Sequence, residues 1–121
     1  MTSVIVIDDN EDITDMLSEV LSPLGHEFTY ANNGHDGIKL IHDKQFDLVL
    51  LDIAMPNFSG KDVVDELVKN GNIKKQPVVL FTASSVNNDE IAIMISKGVS
   101  ECIRKPVSIS KFVDSLKKYE N

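Results

Sequence analysis

Three short, unbroken apolar runs constrain this chain more than any other feature: VIVI at residues 4–7, LVLL at 48–51 and VVLF at 78–81. A strand with one face in water alternates apolar and polar residues. A continuous run needs cover on both faces, as in a parallel sheet. Between the runs lie helical periodicities. Ile13, Met16, Leu17, Val20, Leu21 and Leu24 follow the spacing of one helix face, as do Val63, Val64, Leu67 and Val68, and later Ile109, Phe112, Val113 and Leu116. Less regular helices are expected over residues 34–43 and 88–97, and weaker strands over 27–31 and 100–104. The chain thus alternates β and α five times. That alternation predicts an α/β fold, a doubly wound parallel sheet with helices on both faces and right-handed crossovers. Pro23-Leu24-Gly25, Asn32-Asn33-Gly34, Asn70-Gly71-Asn72 and Gly98 punctuate it between elements. No repeat, low-complexity tract or linker interrupts residues 1–121, which read as one domain.

Composition narrows the classes of function. A chain of 121 residues has room for one core, and its 42% hydrophobic and 26% charged content is that of an ordinary globular protein. The net charge of −7 argues against nucleic-acid or anionic-membrane binding by these residues, since phosphates attract basic surfaces. A single cysteine, Cys102, excludes an internal disulfide and a multi-thiolate zinc site. No apolar run approaches the roughly 18 residues of a membrane span, and MTSVIVIDDN has no signal-peptide pattern. A cytoplasmic location is expected.

In an open α/β sheet, ligands bind beyond the carboxyl ends of the strands, where strand order reverses. The polar residues that close the apolar runs therefore belong together: Asp8 and Asp9, then Asp52, Thr82 and Lys105. Three carboxylates at one edge raise each other's pKa unless a cation intervenes. Mg²⁺ suits the conflict, because it takes a few carboxylates, keeps waters and accepts phosphate oxygens. Asp9 and Asp52 would bind it directly, Asp8 through a water, and the backbone carbonyl of Ala54 would add a ligand. A carboxylate is also a nucleophile able to form an aspartyl phosphate. Lys105 and Thr82 would then neutralise and hold the phosphoryl oxygens. No general base for rapid hydrolysis accompanies them, which suits a switch better than a turnover enzyme.

From Ser3 to about Tyr119 the sequence resembles the response-regulator receiver (CheY-like) family. The segments that carry the resemblance are VIVIDDNED, ANNGHDGIKLI, FDLVLLDIAMPNFSGKDVV, VVLFTAS and CIRKP. An acidic pair, then D-x-x-M-P-x-x-x-G, a Thr-Ala strand end and Lys-Pro make a specific combination. The resemblance implies a flavodoxin-like (βα)5 fold with strand order 2-1-3-4-5. It also implies that Asp8 and Asp9 are the metal pair, Asp52 the phosphoacceptor, Thr82 the switch hydroxyl and Lys105 the phosphate-sensing cation. A sensor histidine kinase or phosphotransfer protein is the implied partner, and a cis Lys105–Pro106 bond is expected. The family often uses its fourth helix, fifth strand and fifth helix for output partners or dimers. No effector domain is expected within these residues.

Two departures stand out. The family usually has an aromatic residue three before the lysine, and here that place holds Cys102. An aromatic rotamer switch cannot operate there, so the loop after Thr82 or another side chain must carry the output. Ala54 and Ser84 are small where family members vary and tune phosphate lifetime.

Simpler readings compete at single positions. A lone strand-end Asp is usually a turn residue or helix N-cap; only the joint match lifts Asp8, Asp9 and Asp52 above that. Asp8-x-Asn10-x-Asp12 with Glu19 imitates a calcium loop, but Ile13 stands where glycine is required and a strand precedes it. Asn57-Phe58-Ser59 is a glycosylation pattern that a cytosolic chain never exposes to that machinery. His26, His35 and His42 lack metal-ligand company and read as surface or turn residues. Cys102 reads as a small core filler. The stretch Ile91-Ala-Ile-Met-Ile95 reads chiefly as core, with one or two of Ile91, Ile93 and Met94 exposed. A dehalogenase-type phosphatase needs a carboxylate two residues after the nucleophile, where this chain has Ala54. An FMN protein needs a phosphate-cradling loop after the first strand, and none is present.

Overall fold

The predicted runs become strands because each carries its apolar side chains to both faces of one sheet. A computed structural model describes residues 2–83, 85–105 and 108–120. In chain order the elements are β1 (Ser3–Ile7), α1 (Glu11–Leu21), β2 (Glu27–Ala31), α2 (Gly34–Asp43) and β3 (Leu48–Leu51). They continue with α3 (Gly60–Lys69), β4 (Val78–Ala83), α4 (Asn88–Ser96), β5 (Glu101–Lys105) and α5 (Ile109–Leu116). All strand pairs are parallel and the order is β2-β1-β3-β4-β5, so the winding reverses between β1 and β3. The doubly wound α/β fold with order 2-1-3-4-5 is the one expected.

Alternate residues of each strand feed two cores. Ile5, Ile7, Val49, Leu51, Val78 and Leu80 pack with Ile41, Val63, Val64, Leu67, Ile91 and Met94 from α2, α3 and α4. Val4, Val6, Leu48, Leu50, Val79, Phe81 and Ile103 face Leu17 and Leu21 of α1 and Phe112 and Leu116 of α5. Burying such side chains contributes about 1.5–3 kcal/mol each before chain entropy is set against it.

A polar cap starts every helix just beyond the strand edge. Asn10, Asn33, Ser59, Asn87 and Ser108 each accept a first-turn backbone N–H, and Ser59 with Asp62 forms a capping box. Each cap is worth about 1 kcal/mol. Each cap fixes the backbone at the point where its helix begins.

Some expected helix faces are narrower than their periodicity. Helix α1 stops at Leu21, and Leu24 follows in a short 3-10 turn and is 53% exposed, because Pro23 cannot continue the hydrogen-bond ladder. Met16, Val68 and Ile109 also keep an exposed side. His26 departs in the other direction. Its side chain is only 6% exposed, with Nε2 3.7 Å from a Glu120 carboxylate oxygen and Nδ1 buried with no hydrogen-bond partner among the described residues, so of the surface and turn readings the covered turn position holds. Helix α4 buries Ile91 and Met94 and leaves Ile93 and Ile95 at 56% and 44% exposure. Ile93 stands about 200° round the helix from Ile91, and Ile95 is exposed as well, at the last turn of α4.

Candidate functional site

The reversal of winding opens a crevice at the carboxyl ends of β1 and β3, and the acidic residues stand on its rim. Asp8 follows β1 directly and its side chain is buried; Asp9 is exposed; Asp52 follows β3 and is buried. One oxygen from each of the three falls within 4.8 Å of the others. Thr82 and Lys105, expected just after their strands, are instead among the last residues of β4 and β5. The sheet brings all five predicted side chains to one edge.

The backbone fixes the Asp52 carboxylate from below. The Asp52 N–H donates to the Ile7 carbonyl at 2.9 Å, extending the β1–β3 pairing by one residue. The following loop folds back so that the Met55 and Gly60 N–H groups both donate to the Ile53 carbonyl. Gly60 is demanded by this return. A Cβ there would lie 2.5 Å from both the Asp52 carbonyl oxygen and the Ile53 Cα. The D-x-x-M-P-x-x-x-G pattern thus has a steric reason for its final glycine. Asn57 turns the loop with φ of 65°, a left-handed conformation that Asn tolerates. Met55 is buried and anchors the loop to the core.

The two oxygens of Asp52 differ. Oδ1 accepts the Thr82 hydroxyl at 3.1 Å and the Ala54 N–H at 3.2 Å. Among the described residues Oδ2 accepts no hydrogen bond. Burial raises the Asp52 pKa, and the neighbouring Asp8 charge adds to that; Lys105, the Ala54 N–H and the Thr82 hydroxyl pull the other way without cancelling it. Lys105 does not reach for Asp52. Its Nζ donates to Asp8 Oδ2 at 2.7 Å, while Asp8 Oδ1 accepts the Asn10 N–H at 2.9 Å. The ammonium also lies 5.1 Å from the Phe81 ring centre, a cation–π contact that supports its stem.

This donor set fits a hard divalent cation. Three carboxylates, two of them buried, leave more negative charge than one ammonium offsets, and all the donors are oxygen. Ala54 is exposed at the same rim, two residues after Asp52. Cys102 lies below the site, partly buried against the α2–α4 core, and burial raises its thiol pKa. Ser84 and the Lys105–Pro106 bond expected to be cis lie outside the described residues.

Sequence reading missed three contacts here. Lys105 pairs with Asp8 at rest, the Asn32 side-chain amide donates to the Asp8 carbonyl at 2.8 Å, and Arg104 reaches from β5 to the β4–α4 loop. The Asn32-Asn33 pair was a turn signal and, through Asn33, an N-cap; nothing in the pattern separated the two roles.

Known proteins match this chain in sequence and fold. The model of the response regulator receiver domain matches residues 4–117. The polar-differentiation response regulator DivK of Brucella anthropi is 30% identical over 117 residues, covering 97% of this chain and 94% of its own. The crystal structure of the response regulator TrrA from Thermotoga maritima, in complex with Mg²⁺ and BeF, is 30% identical. It covers 98% of this chain and 99% of its own, with a TM-score of 0.83. Chemotaxis protein CheY4 of Vibrio cholerae matches in fold, at 21% identity, 98% coverage of both chains and a TM-score of 0.88. The chain belongs to the response regulator receiver domain family.

Proposed function

We propose that this protein is a phosphorylation-controlled switch of a two-component phosphorelay, in which Asp52 accepts the phosphoryl group. The observation that carries the reading is the division of labour at Asp52: Oδ1 is held by Thr82 and Ala54, while Oδ2 is unengaged among the described residues. A fixed carboxylate with one free oxygen is a nucleophile positioned for in-line attack.

Asp8, Asp9, Asp52 and the backbone carbonyl of Ala54 would hold Mg²⁺. When bound, the cation supplies charge neutralisation for the carboxylates and for the phosphoryl oxygens. Asp52 Oδ2 forms the new O–P bond as the P–N bond of a phosphohistidine breaks, and the leaving imidazole takes its proton from solvent. The donor is a sensor histidine kinase or a phosphotransfer protein; acetyl phosphate serves as a small substitute. Lys105 then exchanges Asp8 for a phosphoryl oxygen, and the Thr82 hydroxyl turns to another. Phosphorylation is catalysed by the domain itself, and with no general base evident beside Asp52 among the described residues the product decays slowly. The protein is a switch and not a turnover enzyme, and its place is the cytoplasm.

Two surfaces suit its partners. An apolar groove of about 230 Å³ between α1 and α5, lined by Ile13, Met16, Val20, Ile109 and Phe112, ends at Lys105 and offers the phosphodonor protein a seat beside the site. The α4-β5-α5 face, with Ile93 and Ile95 exposed, suits an output partner or a second copy. Phosphate shifts the population of that face by as much as it favours one conformation.

Intact-mass analysis after incubation with acetyl phosphate and Mg²⁺ tests the reading. Addition of one phosphoryl group that is absent without Mg²⁺ and absent in Asp52→Asn is expected. A folded protein that gains none from acetyl phosphate or from any kinase would sink it.

A further inference from the structure

Cys102 leaves open how the state of Asp52 is heard at the surface, and the next residue but one supplies an answer. Residues 102 and 104 alternate onto the same face of β5, and in the β4–β5 register Arg104 is the direct partner of Thr82. Arg104 therefore stands beside Thr82 on the face that carries α4. Its guanidinium crosses the β4–α4 loop: Nη1 donates to the Val86 carbonyl at 2.8 Å, and Nη2 donates to the Asn88 side-chain oxygen.

The loop is thus held at both ends. At the start, Thr82 donates to Asp52 Oδ1. At the finish, Val86 and the first residue of α4 are held by Arg104. Between them the Val86 N–H donates to the Ala83 carbonyl, and the Val86 side chain packs against the core. A guanidinium is planar and its donors have a fixed spacing, so both bonds are satisfied by one loop position only. A phosphoryl group on Asp52 introduces acceptors where the Thr82 hydroxyl now points, and any movement of Thr82 draws the loop with it.

We propose that Arg104 is a latch that holds the β4–α4 loop in its resting position, and that phosphorylation of Asp52 works against this latch instead of against an aromatic rotamer. The inference rests on the proposed function of Asp52. Arg104 is a positioning residue, acting on the site through the loop and Thr82.

Beryllofluoride with Mg²⁺, a non-covalent mimic of the phosphoryl group, gives the test. Removing a latch on the resting state makes the liganded state easier to reach. Arg104→Ala is expected to bind beryllofluoride about three- to tenfold more tightly than wild type, the fold-change of one net hydrogen bond. Its ligand-free Val86 and Asn88 amide resonances should shift toward the liganded wild-type positions. Loss of a cation near an anionic site would by itself weaken binding, and general damage to the fold would not strengthen it. The sign therefore isolates the latch. Asn88→Ala removes one of the two acceptors and is expected to shift binding the same way by a smaller factor, which keeps the test standing if Arg104→Ala misfolds. Unchanged or weaker binding in whichever variants fold, with wild type binding normally, would overturn the latch alone. Failure of wild type to bind beryllofluoride would overturn the proposed function and the latch with it.

Discussion

The two edges of the sheet are built on opposite principles. At the amino edge, polar groups are matched. The Ser3 N–H donates to Asp47 Oδ2 at 2.8 Å, and the Asp47 N–H returns the bond to the Ser3 carbonyl at 2.9 Å. Gln76 accepts the Phe46 N–H at 3.1 Å and donates to the Asn72 carbonyl at 2.7 Å. Glu101 accepts the Tyr119 hydroxyl and lies 2.8 Å from Lys118 Nζ. At the carboxyl edge, Lys105 pairs with Asp8, and Oδ2 of Asp52 accepts no hydrogen bond among the described residues. The exceptions at the amino edge are Nδ1 of His26 and Nδ2 of Asn72, both buried with no hydrogen-bond partner among the described residues. One edge is arranged for stability. The other stores unbalanced charge that a cation or a phosphoryl group can use.

The contrast appears in two carboxyl groups. Burial raises the Asp52 pKa and its bonds do not compensate. Burial also pushes Glu101 upward, but the Lys118 and Tyr119 hydrogen bonds outweigh it and leave Glu101 below its ordinary value. Folding therefore opposes ionisation of Asp52 and favours ionisation of Glu101.

Breaking the return loop should do the most damage. Gly60→Ala places a Cβ against the Asp52 carbonyl and Ile53, neither of which can move without shifting β3. A loss of about 3 kcal/mol in urea unfolding is expected, together with impaired phosphorylation. Next comes the amino edge. Gln76→Leu strands the Phe46 N–H and should cost roughly 2 kcal/mol while leaving the rate of phosphorylation by acetyl phosphate unchanged. A slowed rate in the folded variant would contradict the separation of the edges.

The reverse pattern is expected at the site. Asp52→Asn should abolish phosphorylation yet unfold at higher urea, by about 1 kcal/mol at neutral pH without Mg²⁺. The sign follows from the raised folded-state pKa: the cost of the ionised carboxylate is present above it, shrinks as pH falls through it, and is gone below the ordinary value of 3.8. Glu101→Gln should behave oppositely, with a deficit present above 4.5 that disappears as pH falls through the lowered folded-state value. Parallel stability–pH curves for the two variants would refute the contrast. The smallest effect is expected on α4. Ile93→Glu, on an exposed position, should change stability by less than about 0.5 kcal/mol and alter only partner binding or self-association.

Much of this was legible in the chain. The runs VIVI, LVLL and VVLF announced β1, β3 and β4 because burial on both faces leaves no polar residue in them. Strands β2 and β5 were fainter: EFTYA and ECIRK carry polar residues because each lies at a sheet edge. Asp8, Asp9, Asp52, Thr82 and Lys105 were legible because the fold class places every strand end on one rim. What could not be read depends on side-chain reach across elements. Lys105 meets Asp8 across the sheet, His26 is covered from the chain's other end, and Arg104 spans to Val86; no local pattern encodes these distances. Helix α4 is intermediate. Its all-apolar stretch left the buried face undefined until Ile91 and Met94 were seen on the core.

The most direct question is which residue carries the phosphoryl group. Borohydride reduction of the phosphorylated protein, followed by peptide mapping, locates an acyl phosphate by converting that residue to homoserine. The expected result is homoserine at position 52 alone, dependent on Mg²⁺. Homoserine at position 8 or 9, or a stable phosphoryl group on a hydroxyl such as that of Thr82, would contradict it.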